Sequence, residues 1–214
     1  MPGRTSCSFF MSLVRYTREA RAGTIGKALR VTFPSVEELV MAGIFAYRCR
    51  CCGDIHEGSP SFGFNAPDAY SCLTDEQKDL HGWINDDLCK VTIEEHTDFF
   101  IRVILEVPIH GVSEPFLWGV WVSASQKSYE RYVETFDAPV KGDGFFGWVS
   151  NAIPWYPEAR HLATNVYLQT DGGRPLLRLH SGGTDDHPLI HDQENGITMA
   201  KAQEIAEFVL HNAT

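Results

Sequence analysis

The stretch Asp98-Phe99-Phe100-Ile101-Arg102-Val103-Ile104-Leu105-Glu106-Val107-Pro108 decides the fold class. Its apolar residues alternate: Phe99, Ile101, Val103, Leu105 and Val107 share one face, and Phe100, Arg102, Ile104 and Glu106 the other. A period of two is that of a half-buried strand. Residues 116–123 alternate in the same way, with Trp118, Val120 and Val122 opposite Leu117, Trp121 and Ser123, and the short 111–115 connection suits an antiparallel neighbour. Further strands are expected at 44–48, 145–149, 162–169 and 175–180, separated by a Pro154/Pro157 turn and the Asp171-Gly172-Gly173 turn.

Helices are fewer. Thr74 with Gln77 three residues later matches a capping box, and Leu80, Trp83, Ile84 and Leu88 supply an apolar face. Ser125 N-caps a second helix through about residue 136, with Tyr129, Tyr132, Val133 and Phe136 at helical spacing. A third runs over 198–211, with Met199, Ala202, Ile205, Ala206 and Val209 facing inward. The elements do not alternate as βαβα. The expected class is α+β, a mainly antiparallel sheet with two or three helices and a zinc-knuckle loop.

Composition narrows the function classes. The chain has 214 residues and a formal net charge of −10. Residues 1–40 carry +3, from Arg4, Arg15, Arg18, Arg21, Lys27 and Arg30 against Glu19, Glu37 and Glu38, so the remainder carries −13. An acidic body repels phosphate backbones, and nucleic-acid binding is not expected of it. No run approaches the ~20 apolar residues of a membrane helix, so no membrane partner is expected. Residues 1–40 read as a basic, poorly ordered extension with Met41 as the natural first residue, ahead of a single domain over 41–214.

Chemistry concentrates in Arg48-Cys49-Arg50-Cys51-Cys52-Gly53-Asp54-Ile55-His56-Glu57. Cys49 and Cys52 form C-x2-C, the spacing that lets one tight turn fill two corners of a zinc tetrahedron. Gly53 supplies the backbone freedom such a turn needs. His56 is within reach of the same centre, and Cys89 is the expected distant fourth ligand. Free thiols are the competing reading, and a disulfide is disfavoured in a chain of this size with no secretory leader. Cys51 could compete with its neighbours for metal, whereas Cys7 and Cys72 read as inert. A second group, His180, Asp185, Asp186, His187 and His191, reads first as a solvated turn, with Asp186 capping the next segment. Arg102 and Glu106 share a strand face that suits an internal ion pair, or an anionic ligand as the alternative. The aromatic run Trp118, Trp121, Phe145, Phe146, Trp148, Trp155 and Tyr156 reads as packing rather than a ligand cage.

Several short stretches together resemble a bacterial family known only as domain of unknown function 2199, from about residue 45 to about residue 200. They are Cys49-x-x-Cys52-Gly53-x-x-His56-Glu57, Asp87-Leu88-Cys89, Phe100-Ile101-Arg102, Trp118-Gly119-Val120-Trp121-Val122-Ser123, Phe146-Gly147-Trp148, Arg174-Pro175 and Asp186-His187-Pro188-Leu189. The resemblance supports Cys49, Cys52 and Cys89 as ligands and implies no activity.

A closed site with four protein ligands is structural, because it leaves no position for a reactive water. The expectation is a cytoplasmic, non-enzymatic module that uses structural zinc and binds another protein or a small ligand. Its rival is a small hydrolase-like enzyme built on His187 and Asp186, or on an open zinc site with Glu57 as base. An enzyme of that kind should gather His187, Arg102 and Glu106 in one cleft.

Overall fold

A meander with an odd number of antiparallel strands can close on itself only through one parallel seam, and the chain folds this way. In the computed structural model, which describes residues 11–13, 35–37, 43–136, 138, 142–181 and 186–212, the strands are β1 Met11–Leu13, β2 Ala46–Arg48, β3 Ile55–Glu57, β4 Ser61–Phe64, β5 Gly82–Ile84, β6 Leu88–Ile93, β7 His96–Val107, β8 Phe116–Ala124, β9 Gly144–Val149, β10 Ala163–Tyr167 and β11 Leu176–Leu179. Strands β7 to β11 pair in sequence order, and β11 returns to β7 in parallel, closing a five-stranded barrel. The sheet extends past the barrel on both flanks. On one side β4 lies parallel to β8 with β1 outside it; on the other, β6 and β5 continue antiparallel from β7. The hairpin β2–β3 stands apart as its own two-stranded sheet.

Register identifies the barrel interior. Trp118, Leu105, Leu177, Val166 and Phe145 lie opposite one another in turn across five strands. Residues directly opposite share a face, and the first four are buried. Five strands leave room only for packed side chains, since even eight barely exceed that. Closure also demands close strand approach at β9. A Cβ on Gly147 would stand 2.3 Å from the Ser123 carbonyl oxygen, so a residue without a side chain is required there.

Five helices are present among the described elements: α1 Asp68–Ser71, α2 Asp75–His81, α3 Gln126–Glu134, α4 Pro188–Asn195 and α5 Met199–Asn212. The expected capping box opens α2, with Thr74 Oγ1 accepting from Gln77 N at 3.2 Å and Gln77 Oε1 accepting from Thr74 N at 2.9 Å. Ser125 caps α3 as expected, accepting from Ser128 N. In α5 the buried stripe Ala202, Ile205, Ala206 and Val209 follows the expected inner face.

Three expectations need correction. The helix begun at Thr74 stops at His81: Gly82 is extended, and a Cβ there would come within 2.6 Å of the Tyr70 ring. Leu80, within α2, is 78% exposed and Trp83, beyond it, 50% exposed, and neither forms an apolar helix face. Two or three helices was too few, because the four-residue α1 and the Pro-initiated α4 are too short for a periodic signal. Strand β7 is covered on both faces over residues 100–103 rather than half-buried, and parallel pairs interrupt the mainly antiparallel sheet. The first 40 residues contribute β1 beside β4; Met41 and most of that extension lie outside the described residues.

Candidate metal centre

The hairpin β2–β3 turns through residues 49–54. Cys49 N donates to Asp54 O at 2.8 Å and Gly53 N donates to Cys49 O at 3.0 Å. Gly53 sits at φ +79°, the left-handed region that glycine enters without strain. Cys51 N points at Cys49 Sγ, 3.4 Å away, and Arg48 Nη1 ties the turn by donating to Gly53 O. The sequence made this loop a knuckle, and its backbone folds as one.

The donors converge. Cys49 Sγ, Cys52 Sγ and a ring nitrogen of His56 lie within 4.8 Å of one another, and so do Cys49, Cys51 and His211. Zinc holds sulfur at about 2.3 Å and nitrogen at about 2.0–2.1 Å, so a tetrahedral S–N edge is about 3.6 Å. The Cys52 Sγ to His56 Nε2 separation is 3.6 Å. His56 is held by cross-strand pairing with Tyr47, whose ring stacks on the imidazole at 5.2 Å between centroids.

Protonation follows the geometry. Burial alone would raise the Cys49 thiol, yet hydrogen bonds from the backbone of Cys52 and Cys51 and from the side chains of Cys52 and His211 bring it down to about 6. Its neighbours move the other way. Cys51 is pushed up by burial and then by the charge on Cys49; at Cys52, burial and Cys49 outweigh the lowering by the Asp54 backbone. Crowded thiols resist joint ionisation, and a divalent cation is what removes that resistance.

Cys89 is not part of this arrangement. It lies in β6 opposite Phe100, 0% exposed, and belongs to neither convergent group. Burial is the sole cause that pushes its thiol up to about 12. The expected helix end is in fact a strand, and strand pairing turns the side chain into the core. His211 and Glu207, which sequence reasoning missed, meet the knuckle instead. Cys49 Sγ lies 3.2 Å from His211 Nε2, across a sequence separation of 162. Glu207 Oε1 accepts from Arg50 N and Oε2 from Arg50 Nε, both at 2.8 Å. Donation by Gln203 and Arg50 holds the Glu207 carboxyl below the usual range, against the opposing effect of burial.

The other candidate residues do not assemble. His187 is the N-cap of α4: its Nδ1 accepts from Leu189 N, leaving Nε2–H to donate to Pro157 O at 2.8 Å. Both nitrogens are thus committed. Asp186 does not cap that helix; it pairs with His191, raising the imidazole pKa. His180 packs on Phe146, and Asp185 lies outside the described residues. Arg102 and Glu106 share a face but form no ion pair. Arg102, 9% exposed, donates to Asp86 O and lies over the Trp121 ring, whereas Glu106 is 3.9 Å from Arg178. Among the aromatics, Trp118, Trp121 and Tyr156 are buried, but Phe146 and Trp148 pack edge to face while each stays nearly half exposed.

Among the described residues no helix is long and apolar enough to cross a membrane. A family model described as "Uncharacterized protein conserved in bacteria (DUF2199)" matches residues 48–197. No curated protein and no solved structure matches the chain.

Proposed function

Because the chain belongs to the bacterial family DUF2199, whose match begins at the knuckle itself, we propose that the β2–β3 hairpin holds a structural zinc ion through Cys49, Cys52 and His56. The observation that carries this reading is the convergence of those three donors within 4.8 Å on one short turn. The first strand of the hairpin is anchored in the core through Ala46, Tyr47 and the preceding Phe45, and the ion fixes the exposed turn and β3 beyond it. In this reading the protein is a cytoplasmic module that binds another protein or a small ligand; Cys49, Cys51, Cys52 and Cys89 are free thiols while Cys72 is disulfide-bonded, so the cysteines do not select the compartment.

A hydrolase has less support. Glu57, the expected base of an open zinc site, follows His56 directly on β3, and consecutive strand residues point to opposite faces. His187 spends both ring nitrogens on the fold.

The test is metal analysis of protein purified without chelators, alongside Cys52→Ser. One equivalent of zinc in the parent and loss of that metal in the variant is the expected outcome. Metal-free parent protein that melts at the same temperature with and without added zinc overturns the proposal.

A further inference from the structure

We propose that His211, on the last turn of α5, is the fourth zinc ligand, so that the ion fastens the C-terminal helix to the knuckle. The inference rests on the reading of a zinc ion at Cys49, Cys52 and His56 and adds the residue that closes its coordination.

Three features of the geometry carry it. First, Cys49 is the vertex shared by two convergent groups, Cys49–Cys52–His56 and Cys49–Cys51–His211, and its sulfur lies 3.2 Å from His211 Nε2, close to the ~3.6 Å tetrahedral edge; the four proposed donors are not yet one group, so the ion must draw His211 in toward Cys52 and His56. Second, α5 is already registered on the loop. Gln203, Glu207 and His211 recur at four-residue spacing, which places them on one helix face. Gln203 Nε2 donates to Arg48 O at 3.3 Å and to Glu207 Oε1 at 2.9 Å, Glu207 receives Arg50, and His211 reaches Cys49. Three successive turns of the helix thus each contact one of residues 48–50, and the imidazole is the last contact in that row. Third, Cys51 takes the part played in a knuckle by a residue between two ligands: its backbone N–H donates to the Cys49 sulfur, and its thiol, though near Cys49 and His211, is exposed. Two thiolates and two imidazoles also leave the complex of a dication neutral beside the buried Cys49, whereas a third thiolate would leave a net negative charge to desolvate.

The consequence is architectural. The hairpin and α5 are far apart in sequence, and the ion adds a coordinate tie to the hydrogen bonds that already join them. Apo protein should show faster amide exchange in residues 49–54 and in the last turn of α5.

The experiment is cobalt(II) titration of the full chain, comparing the parent with His211→Ala and Cys51→Ser. Alanine suits a helix end, and far-ultraviolet circular dichroism confirms that each variant is folded. The parent and C51S are expected to show the intense visible bands of four-coordinate cobalt with thiolate charge transfer. H211A is expected to bind at least ~10-fold more weakly, the scale at which even outer partners of a metal site act, with visible bands reduced toward those of a higher-coordinate, water-bound ion. Equal affinity and an unchanged spectrum in H211A overturn the inference while leaving the zinc reading in place. Loss in C51S instead of H211A assigns the fourth position to Cys51 and also overturns it. A parent that binds no cobalt and no zinc overturns both.

Discussion

Cys89→Ala separates the metal centre from the core. The side chain is 0% exposed in β6, opposite Phe100 and Ile84, so truncation removes buried apolar volume and no metal donor. The lost transfer free energy is about 0.8–1 kcal/mol for a group of methylene size. A residual cavity of roughly 20 Å³ adds about 0.5 kcal/mol, giving a loss of ~1.5 kcal/mol. For a domain of this size that corresponds to about 3–6 °C in melting temperature. Scanning calorimetry with metal analysis on the same samples reads both quantities. The expected result is a lower melting temperature with full zinc content. The parent's Cys89 should also ignore thiol reagents at pH 8, because a thiol raised to about 12 is ionised in roughly one molecule in ten thousand at that pH. Loss of zinc in C89A, at any melting temperature, refutes the placement of this residue in the core and restores it as a ligand.

Three further outcomes follow from the packing. Asn151 is fully buried and bonds Trp121 N, Ala66 O and Asp68 Oδ1; Asn151→Ala strands those groups and should cost about 2–4 kcal/mol, read as a lower urea midpoint, and an unchanged midpoint shows the network is not used. Gly147→Ala forces β9 away from the Ser123 carbonyl and should cost about 1–3 kcal/mol, with faster amide exchange along the β8–β9 pairing; parental exchange there contradicts the tight closure. Glu207 has a lowered carboxyl pKa, so its contribution is present above the ordinary carboxylate value of 4.5 and is lost as pH falls through its folded value. The melting-temperature gap between the parent and Glu207→Gln should therefore be full at pH 7 and shrink in acid below pH 4.5; a gap constant across that range removes the ion pair from the account.

How much was legible follows from how local each signal is. The alternation of β7 and β8, the Thr74 and Ser125 caps and the inner stripe of α5 all depend on near neighbours, and all are where the sequence places them. The Cys49-x-x-Cys52 knuckle is equally local. Closure of the barrel was not legible, because the β11–β7 seam joins strands distant in the chain and no turn encodes it. Cys89 misled for a related reason: its position was judged from a helix that ends at His81, and one helix-to-strand change redirects the side chain. His211 and Glu207 left a faint trace. The polar row Gln203, Glu207 and His211 at four-residue spacing marks a helix face that meets something polar, yet nothing local says that its partner is residues 48–50.

Zinc K-edge absorption on the purified full chain tests the central claim most directly. The account predicts one zinc ion with two sulfur scatterers at about 2.3 Å and two nitrogens at about 2.0 Å, and loss of one imidazole scatterer in His211→Ala. A zinc shell of oxygen and nitrogen alone, or protein that retains no zinc when prepared without chelators, contradicts it.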